Sequence, residues 1–216
     1  MSSISPSSSP TFASLQSLRS HRIMEERDLN HFNSIPWCAA LLSDPAFTIT
    51  PTFSRQYKAN TEDSLFAETL QTDSTISHCL SFHPPPIQTS VSAPWIPEVR
   101  SLMTLGLGMN GGPATLHGGI IATLMDDAIG TLLTINKHHK TGEPLSGNTV
   151  TAYLNVKYLR PVKTPGTVLV VAWGGKVEGG KGRKYGMEAE VRDGKGAVLA
   201  KADSLWILLQ KKEAKL

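Results

Sequence analysis

From Val99 onward the apolar positions recur with regular spacing. Across Gly118–Ile135 the residues Ile120, Ile121, Leu124, Met125, Ala128, Ile129, Leu132 and Leu133 fall in pairs four apart, the pattern of an α-helix with a wide apolar stripe. Its other face holds Ala122, Thr123, Asp126, Asp127, Gly130 and Thr131, which are small as well as partly polar. Such a helix is expected to be mostly enclosed by protein. Val99–Leu107 before it reads as a strand, with a glycine-rich loop, Gly108–Pro113, between them. After it, Val150–Leu159 alternates. Thr151, Tyr153, Asn155 and Lys157 are expected on one face, and Val150, Ala152, Leu154, Val156 and Tyr158 on the other. Thr167–Trp173, Lys184–Arg192 and Ala197–Leu209 complete a set of strands, the last two joined by an Asp193-Gly194 hairpin turn. One enclosed helix followed by an antiparallel meander predicts an α+β fold.

The first half is less regular. Glu25–Asp44 can hold one or two short helices, broken near Pro36 and ended by Pro45. Pro51–Asp63 reads as polar loop, Ile76–Phe82 as a strand, and Pro84-Pro85-Pro86 as extended connector. Tyr57, Phe66 and the Pro84–Pro97 stretch either line a pocket or only pack beside the sheet.

Composition sharpens this division. The chain has 216 residues, with all 18 glycines at or after Gly106 and ten of 14 prolines at or before Pro97. Nine of the first twenty residues are serine, too little apolar content to pack, so the opening is expected to be a tail. Arg19 and Arg22, with no acid before Glu25, give it a faint likeness to a mitochondrial presequence. The expected organisation is a tail at 1–24, an N-terminal extension at 25–98, a main domain at 99–210 and a short tail at 211–216. Hydrophobic residues at 40% and charged residues at 18% support a packed core. A net charge of +3 is too small to argue for nucleic acid. Cys38 and Cys79 match neither a metal spacing nor a disulfide framework, and no uninterrupted apolar run approaches the roughly 18 residues that span a membrane. No cofactor or metal is called for.

The chemistry concentrates in Leu116-His117-Gly118-Gly119-Ile120-Ile121-Ala122-Thr123-Leu124-Met125-Asp126. Two glycines where a loop enters a helix let a ligand atom approach the backbone. The first helix N–H groups have no partner within the helix and point outward with the positive end of the dipole behind them. That arrangement can stabilise an oxyanion. Two turns on, Asp126 lies on the small-residue face. A carboxylate on an enclosed helix is unfavourable by several kcal/mol unless paired or used. The alternative is a structural carboxylate held by a nearby hydroxyl. Asp127, about 100° away around the helix, reads as structural.

His117-Gly118-Gly119 followed by Asp126 resembles the hot-dog-fold acyl-CoA thioesterases of the phenylacetate-degradation and 4-hydroxybenzoyl-CoA type. The resemblance continues through Thr151–Pro161, Val177-Glu178-Gly179, Gly182-Arg183-Lys184 and Ala202-Asp203-Ser204-Leu205-Trp206, covering roughly Met103–Leu209. It implies a long helix wrapped by an antiparallel sheet. It also implies a homodimer or homotetramer whose active sites lie between subunits. By the same resemblance, the Gly118 N–H polarises the thioester carbonyl, and Asp126 acts as general base or nucleophile. Thr151 positions the water or the carboxylate, and His117 shapes the loop or bonds near the thioester. Lys157, Arg183 and Lys184 would contact coenzyme A. Gly179-Gly180-Lys181-Gly182 lengthens one loop relative to that family.

The resulting expectation is hydrolysis of an acyl-CoA. The alternatives are release of an acyl or polyketide chain from a carrier protein, a non-catalytic acyl-CoA-binding protein, and a hydratase. The last needs an Asp/His pair within the pocket, whereas here His117 opens the helix that carries Asp126. The closing Ala214-Lys215-Leu216 resembles the Ser-Lys-Leu address read by the peroxisomal import receptor, which points to a peroxisomal location with cytosol or mitochondrion as alternatives.

Overall fold

The computed structural model describes residues 24–89, 92–141, 149–176 and 183–209. The serine-rich opening, the Val177-Glu178-Gly179 motif, the whole of the lengthened Gly179-Gly180-Lys181-Gly182 loop and the Ala214-Lys215-Leu216 ending lie outside the described residues. The chain begins with helix α1 (residues 24–33) and helix α2 (Pro36–Leu42), followed by the short strand β1 (Thr48–Thr50). A 3-10 turn at Phe53–Arg55 and a π-helical turn at Leu65–Thr69 lead to β2 (Ile76–His83). A small hairpin of β3 (Ile87–Thr89) and β4 (Ser92–Trp95) precedes β5 (Glu98–Leu105). Two short strands, β6 (Asn110–Gly112) and β7 (Thr115–Leu116), lead into helix α3 (Gly118–Thr141). The chain then lays down β8 (Thr149–Tyr158), β9 (Gly166–Lys176), β10 (Lys184–Arg192) and β11 (Val198–Leu208).

Seven strands form one antiparallel sheet in the order β1-β2-β5-β9-β10-β11-β8. Helix α3 lies on one face. Its stripe residues Leu124, Met125, Ala128, Ile129 and Leu132 are fully buried against inward residues of the strands, among them Met103, Val168, Val170, Met187 and Ala189. Truncating one of them, for example Leu132→Ala, removes roughly 2–5 kcal/mol of stability. The stretch Gly118–His138 has the length and mean hydropathy, 1.4, of a membrane-spanning helix. Asp126 and Asp127 interrupt its apolar run, so the likeness lies in the mean and not in any unbroken apolar stretch. In the fold its apolar stripe is packed against the sheet.

The opposite face of β2, β5 and β9 is covered by α1 and α2. Phe32 and Cys38 meet Leu80, Phe82, Leu102 and Val171 in a second core. Pro36 opens α2 at a position where a missing N–H loses nothing. Trp37 docks onto the β10–β11 turn, where a Cβ on Gly194 would stand 2.6 Å from its Nε1. Cys38 and Cys79 are buried free thiols, and burial pushes both up to about 12.

Three local expectations are corrected. The helix continues past Ile135 to Thr141. The β10–β11 connection spans 193–197 rather than two residues. The Asp193 carboxylate accepts from the Lys195 and Ala197 N–H groups, and the left-handed residue is Gly196 (φ +79). The strict alternation of Val150–Leu159 fails as well. The β8–β11 register shifts between Leu205 and Trp206, pairing Tyr153 with Leu205 and Thr151 with Trp206, so Ala152 is a bulge residue. The bulge turns Thr151 onto the helix face with Leu154, Val156 and Tyr158, away from Tyr153, Asn155 and Lys157.

Candidate active site

The loop entering α3 is set by backbone contacts. His117 N–H donates to Met109 O at 2.9 Å. Gly111 lies beneath the ring, where a Cβ would come within 2.8 Å of His117 Cδ2, so no larger residue fits there. The Gly119 N–H donates to His117 Nδ1 at 3.0 Å. Because Nδ1 accepts, the neutral ring carries its proton on Nε2, and the side chain as a whole is exposed. The next groups, Ile120 and Ile121 N–H, both reach His117 O. The Gly118 N–H has no acceptor among the described residues, and Gly118 O accepts from the Tyr158 hydroxyl at 3.0 Å. A ready donor therefore stands at the positive end of α3.

Asp126 lies eight residues further along α3, about 12 Å away along the helix axis at the rise of an α-helix. The Thr151 hydroxyl donates to Asp126 Oδ1 at 2.9 Å. Burial raises the Asp126 pKa above the usual carboxylate value, and this hydrogen bond to the ionised form opposes part of the rise. Asp127 is raised further, to about 7, again chiefly by burial. The Ser54 hydroxyl opposes the shift, and the neighbouring Asp63 charge adds to it.

Two cavities meet at these carboxylates. One, of about 400 Å³, runs towards the C-terminal end of α3 past Gly130, Thr134 and His138. The other, of about 440 Å³, opens on the opposite side against Leu65, Phe66, Ala122 and Leu154. Both are roofed by the N-terminal half of the chain. Buried Arg55 ties that roof to the sheet by donating to Leu70 O and Ile76 O. Lys58 pairs with Asp63 and with Glu62, and Thr61 and Asp63 hold left-handed backbone (φ 67 and 61). Non-glycine residues adopt that region at an energetic penalty, and such strain collects at functional sites.

The structure therefore joins Asp126 to Thr151 and leaves His117 and Gly118 at the far end of two helix turns. Lys157 and Lys184 lie on the sheet face opposite α3. Lys157 lines a shallow pocket of about 210 Å³ with Glu188, Glu190, Lys201 and Asp203. Arg183 precedes β10, its carbonyl accepting the Leu208 N–H. Phe66 lines a site cavity, whereas Tyr57 is 70% exposed. Trp95 packs away from the carboxylates, stacked on Tyr185 and bonded to Gly174 O. Ser54, Asp63 and Trp206 are site residues that sequence reasoning missed as such. Ser54 and Asp63 lie in a stretch that reads as polar loop, and Trp206 stands in the sequence only as the end of the Ala202–Trp206 motif, with no site role of its own.

Residues 114–200 match the family model described as thioesterase superfamily. The chain is similar to verlamelin biosynthesis protein B of Lecanicillium sp, 30% identical over 168 residues that cover 67% of this chain and 71% of that protein. Among solved structures it is similar to a Bacillus halodurans protein determined with CoA: 27% identity, 53% of this chain and 68% of that one, TM-score 0.40. It is also similar to the Escherichia coli PaaI protein from the phenylacetic acid degradation operon: 16% identity, 52% and 73% coverage, TM-score 0.43. With the matched segment running from the loop that enters α3 through β10 into β11, and a relative aligned over two thirds of both chains, this chain is a hot-dog-fold member of the thioesterase superfamily.

Proposed function

We propose that the protein hydrolyses an acyl-CoA to the free acid and coenzyme A. The observation that carries this reading is the Thr151–Asp126 hydrogen bond beside two cavities. A half-buried carboxylate with a raised pKa, held in one rotamer by a hydroxyl, suits proton abstraction from water. In this reading Asp126 is the general base, Thr151 orients it and its water, and the Gly118 N–H receives the developing oxyanion. His117 fixes the loop through its bond from Gly119 N–H.

About 12 Å of helix separates Gly118 from Asp126, too far for both to act on one carbonyl. The reaction thus needs Gly118 of one subunit and Asp126 of another, which makes a homodimer the working unit. The open edge of the sheet, β8, exposes Val150, Tyr153 and Tyr158 at 42%, 47% and 55%, and Tyr158 bonds directly to Gly118. A second copy pairing there would cover those side chains close to the catalytic loop. Lys157, Arg183 and Lys184 would then serve the coenzyme A phosphates from the partner side.

A second reading has one supporting observation. The similar Lecanicillium protein is named for a biosynthesis, which suits release of a carrier-bound acyl chain. Thiol release from a panel of acyl-CoA chain lengths, with Asp126→Asn alongside, tests the first reading. Slow turnover of every CoA ester with fast turnover of a carrier-bound one would transfer the assignment to the second. Single turnover in oxygen-18 water should put label in the acid and none in the peptide containing Asp126. Label in that peptide would make Asp126 a nucleophile instead.

A further inference from the structure

The π-helical turn Leu65–Thr69 is set by the residue two places before it. Asp63, left-handed at φ 61, accepts the Phe66 and Ala67 N–H groups on its carbonyl, and the Leu70 N–H reaches back five residues to Leu65 O at 2.8 Å. In this turn and its cap Phe66, Ala67 and Leu70 are buried, while Leu65 is left 48% exposed. Single π-helical turns are rare and frequently stand at functional sites. A lone exposed leucine needs no explanation by itself. This one walls the 440 Å³ cavity that opens beside Asp126.

The two cavities at the carboxylates share Asp63, Asp126 and Asp127 and no other lining residue, so those three stand where the cavities meet. Beyond that junction the 440 Å³ cavity is walled by Leu65, Phe66, Ala122, Leu154 and Thr123, and the Thr123 hydroxyl already donates to Gly119 O at 2.9 Å. The 400 Å³ cavity is different: Ser54, Gln56, Lys58, Glu62 and Thr134 are among its walls. Covering such groups with hydrocarbon takes water from them and gives no partner back, which is unfavourable. Covering Leu65 and Leu154 removes apolar surface from water, which is favourable. An aliphatic chain is therefore drawn to the first cavity and not to the second.

We propose that the cavity walled by Leu65, Ala122 and Leu154 receives the unsubstituted aliphatic chain of the acyl group, with Leu65, supplied by the N-terminal extension, as a specificity-determining residue. Ala122 precedes Asp126 by about one helix turn, roughly 6 Å along the axis. A chain whose carbonyl sits at Asp126 passes Ala122 towards the start of α3, with Leu65 and Leu154 as its apolar walls. The methyl of Ala122 leaves room there that a larger side chain would fill. The segment matched by the thioesterase family model begins at residue 114, so Leu65 lies outside the part of the chain that carries the catalytic groups. This inference rests on the hydrolase reading above and names its substrate class.

The test measures kcat/KM for butanoyl-, hexanoyl-, octanoyl- and decanoyl-CoA in wild type and Leu65→Ala. The same esters are titrated calorimetrically against Asp126→Asn with and without Leu65→Ala, so preference is read with and without chemistry. Each methylene that enters the cavity is worth about fourfold, so both quantities should climb with chain length until the cavity is filled. Leu65→Ala changes a half-exposed position and should fold as wild type does. It should lower the decanoyl-to-butanoyl ratio about fivefold or more, in turnover and in binding, with butanoyl-CoA nearly unchanged. Ala122→Leu should move the preferred ester to a shorter chain. Ile49→Ala, at a position 42% exposed on the far edge strand β1, should leave the ratio as it is. A ratio untouched by Leu65→Ala, with the esters still cleaved, overturns the proposal and leaves hydrolysis standing. So does a weakened dimer in sedimentation with that ratio unchanged, which would make Leu65 a subunit contact. Cleavage of no ester, with a chain-length preference in binding that still depends on Leu65, overturns the hydrolase reading instead. Esters neither cleaved nor bound overturn both.

Discussion

Thr151 and Asp126 are joined by a 2.9 Å hydrogen bond from hydroxyl to carboxylate, across the gap between β8 and α3. The contact depends on the extra residue at Ala152. Without the bulge, Thr151 would share the outward face of Tyr153 and Lys157, and Asp126 would have no hydroxyl beside it. Bulges redirect side chains in this way at sheet edges, and β8 is an edge strand.

Asp126→Asn should reduce thioester turnover by about 10²–10⁴-fold, the range attributed to a general base. Asp127→Asn should lose much less on an unsubstituted acyl-CoA. Steady-state thiol release checks both. An Asp126→Asn enzyme with more than a tenth of wild-type turnover is incompatible with the assignment.

The pH profile should carry the signature of the raised carboxylate. A base must be ionised, so activity falls as pH drops through the Asp126 pKa, and that limb should lie above the usual carboxylate value of about 4. The Thr151 hydroxyl stabilises the ionised form, so Thr151→Val should move the limb upward in pH and Thr151→Ser should restore it. A kcat/KM profile over pH 4–9 reads the shift, and an unmoved limb in Thr151→Val would contradict the positioning role.

Subunit mixing tests the two-chain site. Gly118→Pro removes the N–H at the first helical position, where proline is tolerated. That variant and Asp126→Asn should each be inactive alone. After unfolding and refolding together, half of the dimers are mixed and each holds one intact site, so about a quarter of wild-type activity should return. No recovery in a refolded mixture shown to contain mixed dimers would place both groups in one chain.

Asp127 should reveal itself in stability. Its folded pKa, about 7, exceeds the unfolded value near 4, so the protonated carboxyl is the form the fold favours. The stabilisation is full at low pH, declines as pH rises between those values, and is gone above about 7. Asp127→Asn should therefore raise Tm relative to wild type more at pH 8 than at pH 4.5. Equal differences at both pH values would mean that burial does not govern this group.

The amino-acid sequence by itself determined the parts governed by local periodicity. The paired apolar residues of α3 had to face a core whatever surrounded them, and the alternating runs had to be half-buried strands. The two glycines after His117 marked the helix start, and Asp126 stood out because a carboxylate among small residues on an enclosed helix needs a reason. Tertiary structure decided what depends on residues distant in the chain. The bulge at Ala152 is a matter of register against β11 that β8 does not encode on its own. The segment around Ser54 and Asp63 reads as polar loop, and becomes the roof of the site only because Arg55 ties it to the carbonyls of Leu70 and Ile76. Trp206, the last residue of the Ala202–Trp206 motif, shows no site role in the sequence until β11 sets its ring over Gly130, 3.5 Å from where a Cβ would stand. Asp127, adjacent to Asp126 in sequence, takes a different environment because 100° of helical rotation turns it under that roof.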